Sequence, residues 1–241
     1  MKLALFDLDH TLIPFDSGMA WTRHLVRQGA LHADAQERYL GYCHQYLAGT
    51  LDIHAMHHAS MAPLAGFSAA QLQRWQAEFE AAVRPALPPA MQALVATHRD
   101  RGDLCAIVTA TCRLVAEPFA RGFRVEHLLA TESQQRDGVP TGAIDGLPCY
   151  REHKLTRVQA WLAARRTGPR ELADFDESWF YSDSASDLPL LRAVTHPVAV
   201  RPEPHLRAHA RAAGWRVCDA GAARGLPGYS ASSADGDVTP A

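Results

Sequence analysis

Phe6-Asp7-Leu8-Asp9-His10-Thr11 directly follows Leu3-Ala4-Leu5, and the reading of these few residues decides both the fold and the chemistry. A short apolar run ending in a charged cluster predicts a buried strand over residues 3–7. Two carboxylates spaced by one residue, where a strand leaves its sheet, can point into the same space. One can attack phosphorus while the other gives a proton to the departing oxygen. Two such anions beside a phosphate repel it, so the site calls for a bridging divalent cation. Alone, the same stretch also fits a strand end with solvated acids.

Outward from this stretch, residues 17–86 read as helical, with Gly18–Gln28, Asp34–Leu47 and Ala69–Val83 divided by Gly and Pro signals. After Pro85, Pro88 and Pro89 the pattern alternates. A helix over Met91–Arg101 precedes the apolar Leu104-Cys105-Ala106-Ile107-Val108, and a second helix near Leu114–Arg121 leads to Val125–Ala130. Gly138–Gly146 reads as a small hairpin and His153–Arg166 as a helix. Further strands are expected at Trp179-Phe180-Tyr181, Pro197–Val200 and Trp215–Val217. Strands alternating with helices predict a parallel sheet covered on both faces, with ligands beyond the carboxyl ends of its strands.

The 241 residues are 47% hydrophobic and 21% charged, enough for a normal core in one sizeable domain or a core with an insert. With 24 basic and 26 acidic residues the net charge is −2, which argues against general nucleic-acid binding. No apolar run approaches a membrane span, and Asp7 comes too early for a signal-peptide core, so a cytoplasmic protein is expected. The five scattered cysteines form no Cys-x-x-Cys pair and read as reduced thiols. The last stretch, 221–241, is rich in Gly, Ala, Ser and Pro and reads as a loose tail.

Three more polar clusters follow apolar runs. Thr109-Ala110-Thr111 offers hydroxyls and backbone N–H groups to a phosphate oxygen, although Thr111 equally suits a helix N-cap. Lys154 opens a helix and suits pairing with a nucleophilic carboxylate, or a place on the surface. In Ser182-Asp183-Ser184-Ala185-Ser186-Asp187, two acids four apart suit an oxygen-rich cation site or a capping turn.

Four such clusters in this order resemble the haloacid dehalogenase-like hydrolase superfamily over residues 1 to about 200. The resemblance implies an α/β fold: a Rossmann-like parallel sheet core (residues 1–16 and 87–220) with an inserted all-helical cap of the first type (17–86). By position, Asp7 is similar to the nucleophile that becomes an aspartyl phosphate, and Asp9 to the general acid/base. Thr109, with Ala110, resembles the phosphate-binding segment, and Lys154 the lysine that stabilises charge. Asp183 resembles the carboxylate that joins Asp7 and the backbone carbonyl of Asp9 at Mg2+, and Asp187 the acid that supports lysine and metal. Ser186 stands where many members have Asn. The helical insert and the phrases around Thr109 and Asp183 resemble the phosphoserine phosphatase-like and histidinol-phosphatase-like branch.

The implied reaction is hydrolysis of a small, amine-bearing phosphorylated metabolite. Asp16 occupies the position of an acid that contacts a substrate amino group, and it also fits a helix N-cap. Arg113 is a candidate substrate contact or an exposed helix residue, and Arg23 and Arg27 are candidates for a substrate carboxylate. His44, His54, His57 and His58 read as a polar helix face. Alternatives are phosphate transfer to an acceptor alcohol, a catalytically silent binding module, and dehalogenation of a haloacid. The oligomeric state is not legible.

Overall fold

The computed structural model describes residues 1–219, so the expected tail at 221–241 lies outside the described residues. In chain order it begins with β1 (Lys2–Phe6) and the helices α1 (Ser17–Arg27), α2 (Ala35–Leu47), α3 (Ile53–Met61), α4 (Ala69–Val83) and α5 (Pro89–Asp100). Next come β2 (Leu104–Cys112), α6 (Arg113–Phe123), β3 (His127–Thr131), β4 (Ser133–Arg136), β5 (Val139–Ile144) and α7 (Glu152–Ala163). The chain continues through β6 (Glu177–Ser182), α8 (Leu188–Leu191), β7 (His196–Val200), α9 (Pro204–Ala212) and β8 (Arg216–Cys218).

Six strands form one parallel sheet in the order β3-β2-β1-β6-β7-β8. The central strands β1, β2 and β6 are apolar on both faces, as strands covered by helices must be. Alternation along the strands sends neighbours to opposite layers. Ala4, Phe6, Ile107 and Tyr181 join one core with residues of α1, α4, α5 and α6. Leu3, Leu5, Ala106 and Phe180 join the other with residues of α7, α8 and α9. Trp21 and Phe79 are nearly inaccessible, and Phe79 packs edge-on against Trp21 (5.2 Å) and Phe119 (5.8 Å). Burying side chains of this size contributes roughly 2–3 kcal/mol each. α1 and α4 are therefore welded to the same core as α6.

The sheet extends from β1 through β2 to β3 on one side, and through β6, β7 and β8 on the other. The crossovers diverge at β1, which opens a crevice above its carboxyl end.

The hairpin differs from the expected span 138–146. β4 pairs antiparallel with β5, and the turn falls on Asp137-Gly138, whose φ angles are 53° and 77°. An Asp-Gly pair with both φ positive is the type I′ signature, which the Gly-bounded reading overlooked. The hairpin packs against α3. Gly142, at φ 92°, leaves no room for a side chain, because a Cβ there would lie 2.7 Å from the Ala62 Cβ.

Candidate active site

Asp7 directly follows β1, its N–H donating to the Tyr181 carbonyl at 2.9 Å as the strand pairing gives out. A wide turn follows, in which the Ile13 N–H reaches the Leu8 carbonyl (3.1 Å) and His10 takes a left-handed φ of 56°. Arg201, just beyond β7, clamps this turn: its guanidinium donates to the His10 carbonyl (2.8 and 3.1 Å) and the Thr11 carbonyl (2.6 Å). The Thr11 hydroxyl donates to Asp183 Oδ1 at 2.9 Å, so the turn also holds the fourth cluster.

Lys154 Nζ donates at 2.8 Å to both Asp7 Oδ1 and Asp187 Oδ2, and all three side chains are buried. Burial opposes the ammonium charge, but the two carboxylates outweigh it and hold the lysine well above its ordinary pKa. The Ser182 hydroxyl donates to the same Asp187 oxygen (2.7 Å).

Asp9 sits differently. Its Oδ1 accepts the Ser17 N–H (2.7 Å) and its Oδ2 accepts the Thr111 hydroxyl (2.6 Å). Burial, and then the nearby charge of Asp16, push its pKa up to about 6. A carboxyl group that changes protonation near neutrality suits proton transfer. Thr111 is therefore not a helix cap, and Cys112 occupies that position.

Thr109 is almost fully buried, its hydroxyl accepting the Thr111 N–H (3.2 Å), while the Ala110 carbonyl accepts the Thr131 hydroxyl (2.8 Å). The irregular register between Val108 and Cys112 turns this segment toward the crevice. Asp7, Asp9, Thr109, Ala110, Lys154 and Asp183 all line one cavity of about 640 Å3, roofed by α2 and α3.

Asp183 is the least comfortable of these acids. Burial, and then the adjacent Asp7 charge, drive its pKa well above the carboxylate range. Lys154 pairs with Asp7 and Asp187 but not with Asp183. The buried Asp7 carboxylate and the half-buried Asp183 carboxylate, which has no cationic side-chain partner among the described residues, fit a hard divalent cation. No group of three His, Cys, Asp or Glu side chains with metal-binding geometry occurs among the described residues. Asp7 and Asp183 are the side chains that could hold a cation here, while the Asp9 carboxylate is engaged by Ser17 and Thr111 and leaves only its carbonyl.

Asp16 forms the N-cap its sequence allowed and also lines the cavity. Its Oδ1 caps α1 through the Met19 N–H (2.7 Å), and its Oδ2 faces the Cys43 thiol at 3.9 Å on the cavity wall. Arg113 does not reach the cavity. Its guanidinium grips both oxygens of Glu132 (2.7–3.0 Å) and the Leu128 carbonyl (2.8 Å), bracing α6 against β3. The expected substrate contact at Arg113 is thus replaced by an internal ion pair. Arg23 and Arg27 also lie outside the cavity lining. His57 lines it; His44, His54 and His58 do not.

Sequence reasoning missed Arg201, Ser17 and Tyr46, and it gave Thr111 to phosphate or a helix cap instead of to Asp9. Arg201 was findable, since it stands directly after a strand expected to end at Val200. Tyr46 had no signal, because only folding brings α2 over the sheet.

A family model described as haloacid dehalogenase-like hydrolase matches residues 4–192. A histidinol-phosphatase of Neisseria meningitidis is 36% identical over 219 residues, covering 90% of this chain and 97% of that protein. A crystal structure of a protein of unknown function from Bordetella pertussis superposes with a TM-score of 0.82 at 44% identity, over 90% of this chain and 98% of that one. A phosphoserine phosphatase bearing a phospho-aspartyl intermediate analogue shares the fold, with a TM-score of 0.61 at 15% identity over 90% and 92%.

Proposed function

Since this chain belongs to the haloacid dehalogenase-like hydrolases, we propose that it is a phosphomonoesterase acting on a small, amine-bearing metabolite of the histidinol phosphate kind. The observation that carries the chemistry is the bridge of Lys154 between Asp7 and Asp187, with the separately held Asp9 on the same cavity. In this reading residues 17–86 are a cap over a core of 1–16 and 87–220.

An Asp7 oxygen attacks phosphorus in line as the ester P–O bond breaks, and Asp9 gives its proton to the departing alkoxide. Asp9 then takes a proton from a water whose oxygen attacks the phosphorus of the aspartyl phosphate. This frees inorganic phosphate and restores the Asp7 carboxylate. Lys154, Thr109 and the Ala110 segment face the phosphoryl oxygens and stabilise their charge. Mg2+ held by Asp7, Asp183 and the Asp9 carbonyl would supply Lewis-acid screening between substrate and carboxylates.

The cavity favours histidinol phosphate over phosphoserine. Asp16 offers an anion to an amine, and Tyr42, Tyr46, Leu47, Leu51 and Met56 present an apolar wall. The cationic side chains that line it, Lys154 and Arg201, are both committed elsewhere, so a substrate carboxylate would be buried without a partner. Such a charge costs more than a neutral ring.

The test is phosphate release by pure protein with Mg2+ from histidinol phosphate, phosphoserine and phosphoethanolamine. We expect kcat/KM for histidinol phosphate at least about tenfold above that for phosphoserine, and no turnover by Asp7→Asn. Wild-type protein inert on every ester would sink the phosphatase reading. Equal rates on phosphoserine would sink the substrate assignment, and a phosphorylated alcohol in place of phosphate would make the enzyme a transferase. The balance of charge and the free thiols suit the cytoplasm, and no helix of the described residues is long and apolar enough to cross a membrane.

A further inference from the structure

We propose that Tyr46 is a positioning residue of this reaction: its hydroxyl closes a ring with Ser184 and Ser186 that holds α2 over the cavity and fixes the loop between Asp183 and Asp187. The Tyr46 oxygen lies 2.9 Å from Ser184 Oγ and 2.9 Å from Ser186 Oγ, and the two serine oxygens are 3.1 Å apart. Each hydroxyl carries one proton. Tyr46 donates to Ser184, Ser184 to Ser186, and Ser186 back to Tyr46, so every donor is used and every oxygen accepts. Hydrogen bonds in such a ring polarise one another, and Ser184 is buried while Tyr46 and Ser186 are half-buried.

The ring is joined to the catalytic groups. The Ser184 N–H donates to Ser182 Oγ (3.2 Å), and that hydroxyl donates to Asp187 Oδ2 (2.7 Å). The same Asp187 oxygen holds Lys154, whose other partner is Asp7. Tyr46 touches no reacting atom, and its influence passes through this loop. Ser186, which departs from the asparagine common in the family, acquires a purpose here as the partner of a phenol on the opposite wall.

α2 needs such a tether. It buries only Ala35 and Tyr39 among its own residues, while Leu40 and Leu47 are 46% and 70% exposed. An element with so few buried contacts opens at low cost. A further hold lies at the same end: Arg151 donates to the Gly49 carbonyl (2.7 Å) and stacks on Tyr150, whose ring lies 5.8 Å from that of Tyr46. A phenylalanine would fill the same space as Tyr46, so the hydroxyl is there for its hydrogen bonds.

Hydrogen exchange and steady-state kinetics on the full chain test this in wild type, Tyr46→Phe, Ser186→Ala and the double variant. Losing the hydroxyl should speed exchange of the α2 amides by about tenfold, the equivalent of one net hydrogen bond, while β1, β2 and β6 keep their rates. The kcat/KM for histidinol phosphate should fall by a similar factor, and the double variant should be no worse than Tyr46→Phe alone. Unchanged α2 exchange in Tyr46→Phe, or additive losses in the double variant, would overturn the ring. Faster exchange with wild-type kinetics would overturn the positioning role. The kinetic arm rests on the phosphatase reading and the exchange arm does not. Faster α2 exchange in a chain that hydrolyses no ester would uphold the ring and condemn that reading instead.

Discussion

Lys154 is the residue on which the site depends most directly, because it is the charge that lets Asp7 and Asp187 share a dry space. Removing one partner of a buried ionic cluster strands the others. Lys154→Ala should therefore lower stability by about 3–5 kcal/mol, read by chemical denaturation, and abolish phosphate release; a variant as stable as wild type would mean water reaches these carboxylates. Thr111 is a milder case. It gives Asp9 one of its two hydrogen bonds and makes no contact with the nucleophile. Thr111→Ala should cut kcat about tenfold with KM nearly unchanged, the size of one hydrogen bond to a charged group. Thr111→Ser should recover most of the loss, and a change confined to KM would place Thr111 in substrate binding instead.

Among the elements, α3 and the hairpin it supports form a coupled pair. Ser133 of β4 meets His57 Nε2 at 3.1 Å, and Gly142 of β5 lies against Ala62 and His58. Burial, then the neighbouring His54, depress the His57 pKa to about 4. Below its ordinary value near 6.5 the unfolded chain takes up a proton that the folded chain refuses, so stability is full above that pH and falls as pH drops toward 4. His57→Gln should flatten the fall between those pH values by roughly 2 kcal/mol. Thermal melts of both proteins across that range decide it, and parallel curves would show that His57 titrates freely in the fold.

At the scale of the whole molecule, the diverging crossovers at β1 bring four sequence-distant clusters to one crevice. That crevice holds Asp183 close enough to Asp7 for the Asp7 charge to raise its proton affinity. A cation binding only the folded chain stabilises it by mass action. Added Mg2+ should therefore raise the melting temperature, by a few degrees at about a hundredfold excess over Kd. Chelation should abolish phosphate release. Asp183→Asn should lose the Mg2+ shift while keeping its fold, and a shift that survives in that variant would locate the cation elsewhere.

The sequence by itself determined the parallel sheet and the polar clusters at its strand ends. Alternating apolar runs and helices leave few other ways to bury both faces of a strand such as Leu3–Phe6. It also singled out Asp7, Asp9, Thr109, Ala110, Asp183 and Asp187 in clusters that follow apolar runs, and Lys154 at the start of a helix. Arg113 shows the limit of that reasoning. Position placed it near the phosphate segment, yet a carboxylate 19 residues downstream captured its guanidinium. Only the tertiary structure decided how the two carboxylates of Asp7-Leu8-Asp9 divide. Local spacing lets both face one space, but Lys154 draws one toward Asp187 while Ser17 and Thr111 hold the other apart. The same holds for Tyr46, 138 residues from Ser184 in the chain. A hydroxyl carries no sequence record of its partner, because that partner is chosen by the packing of helices against a sheet.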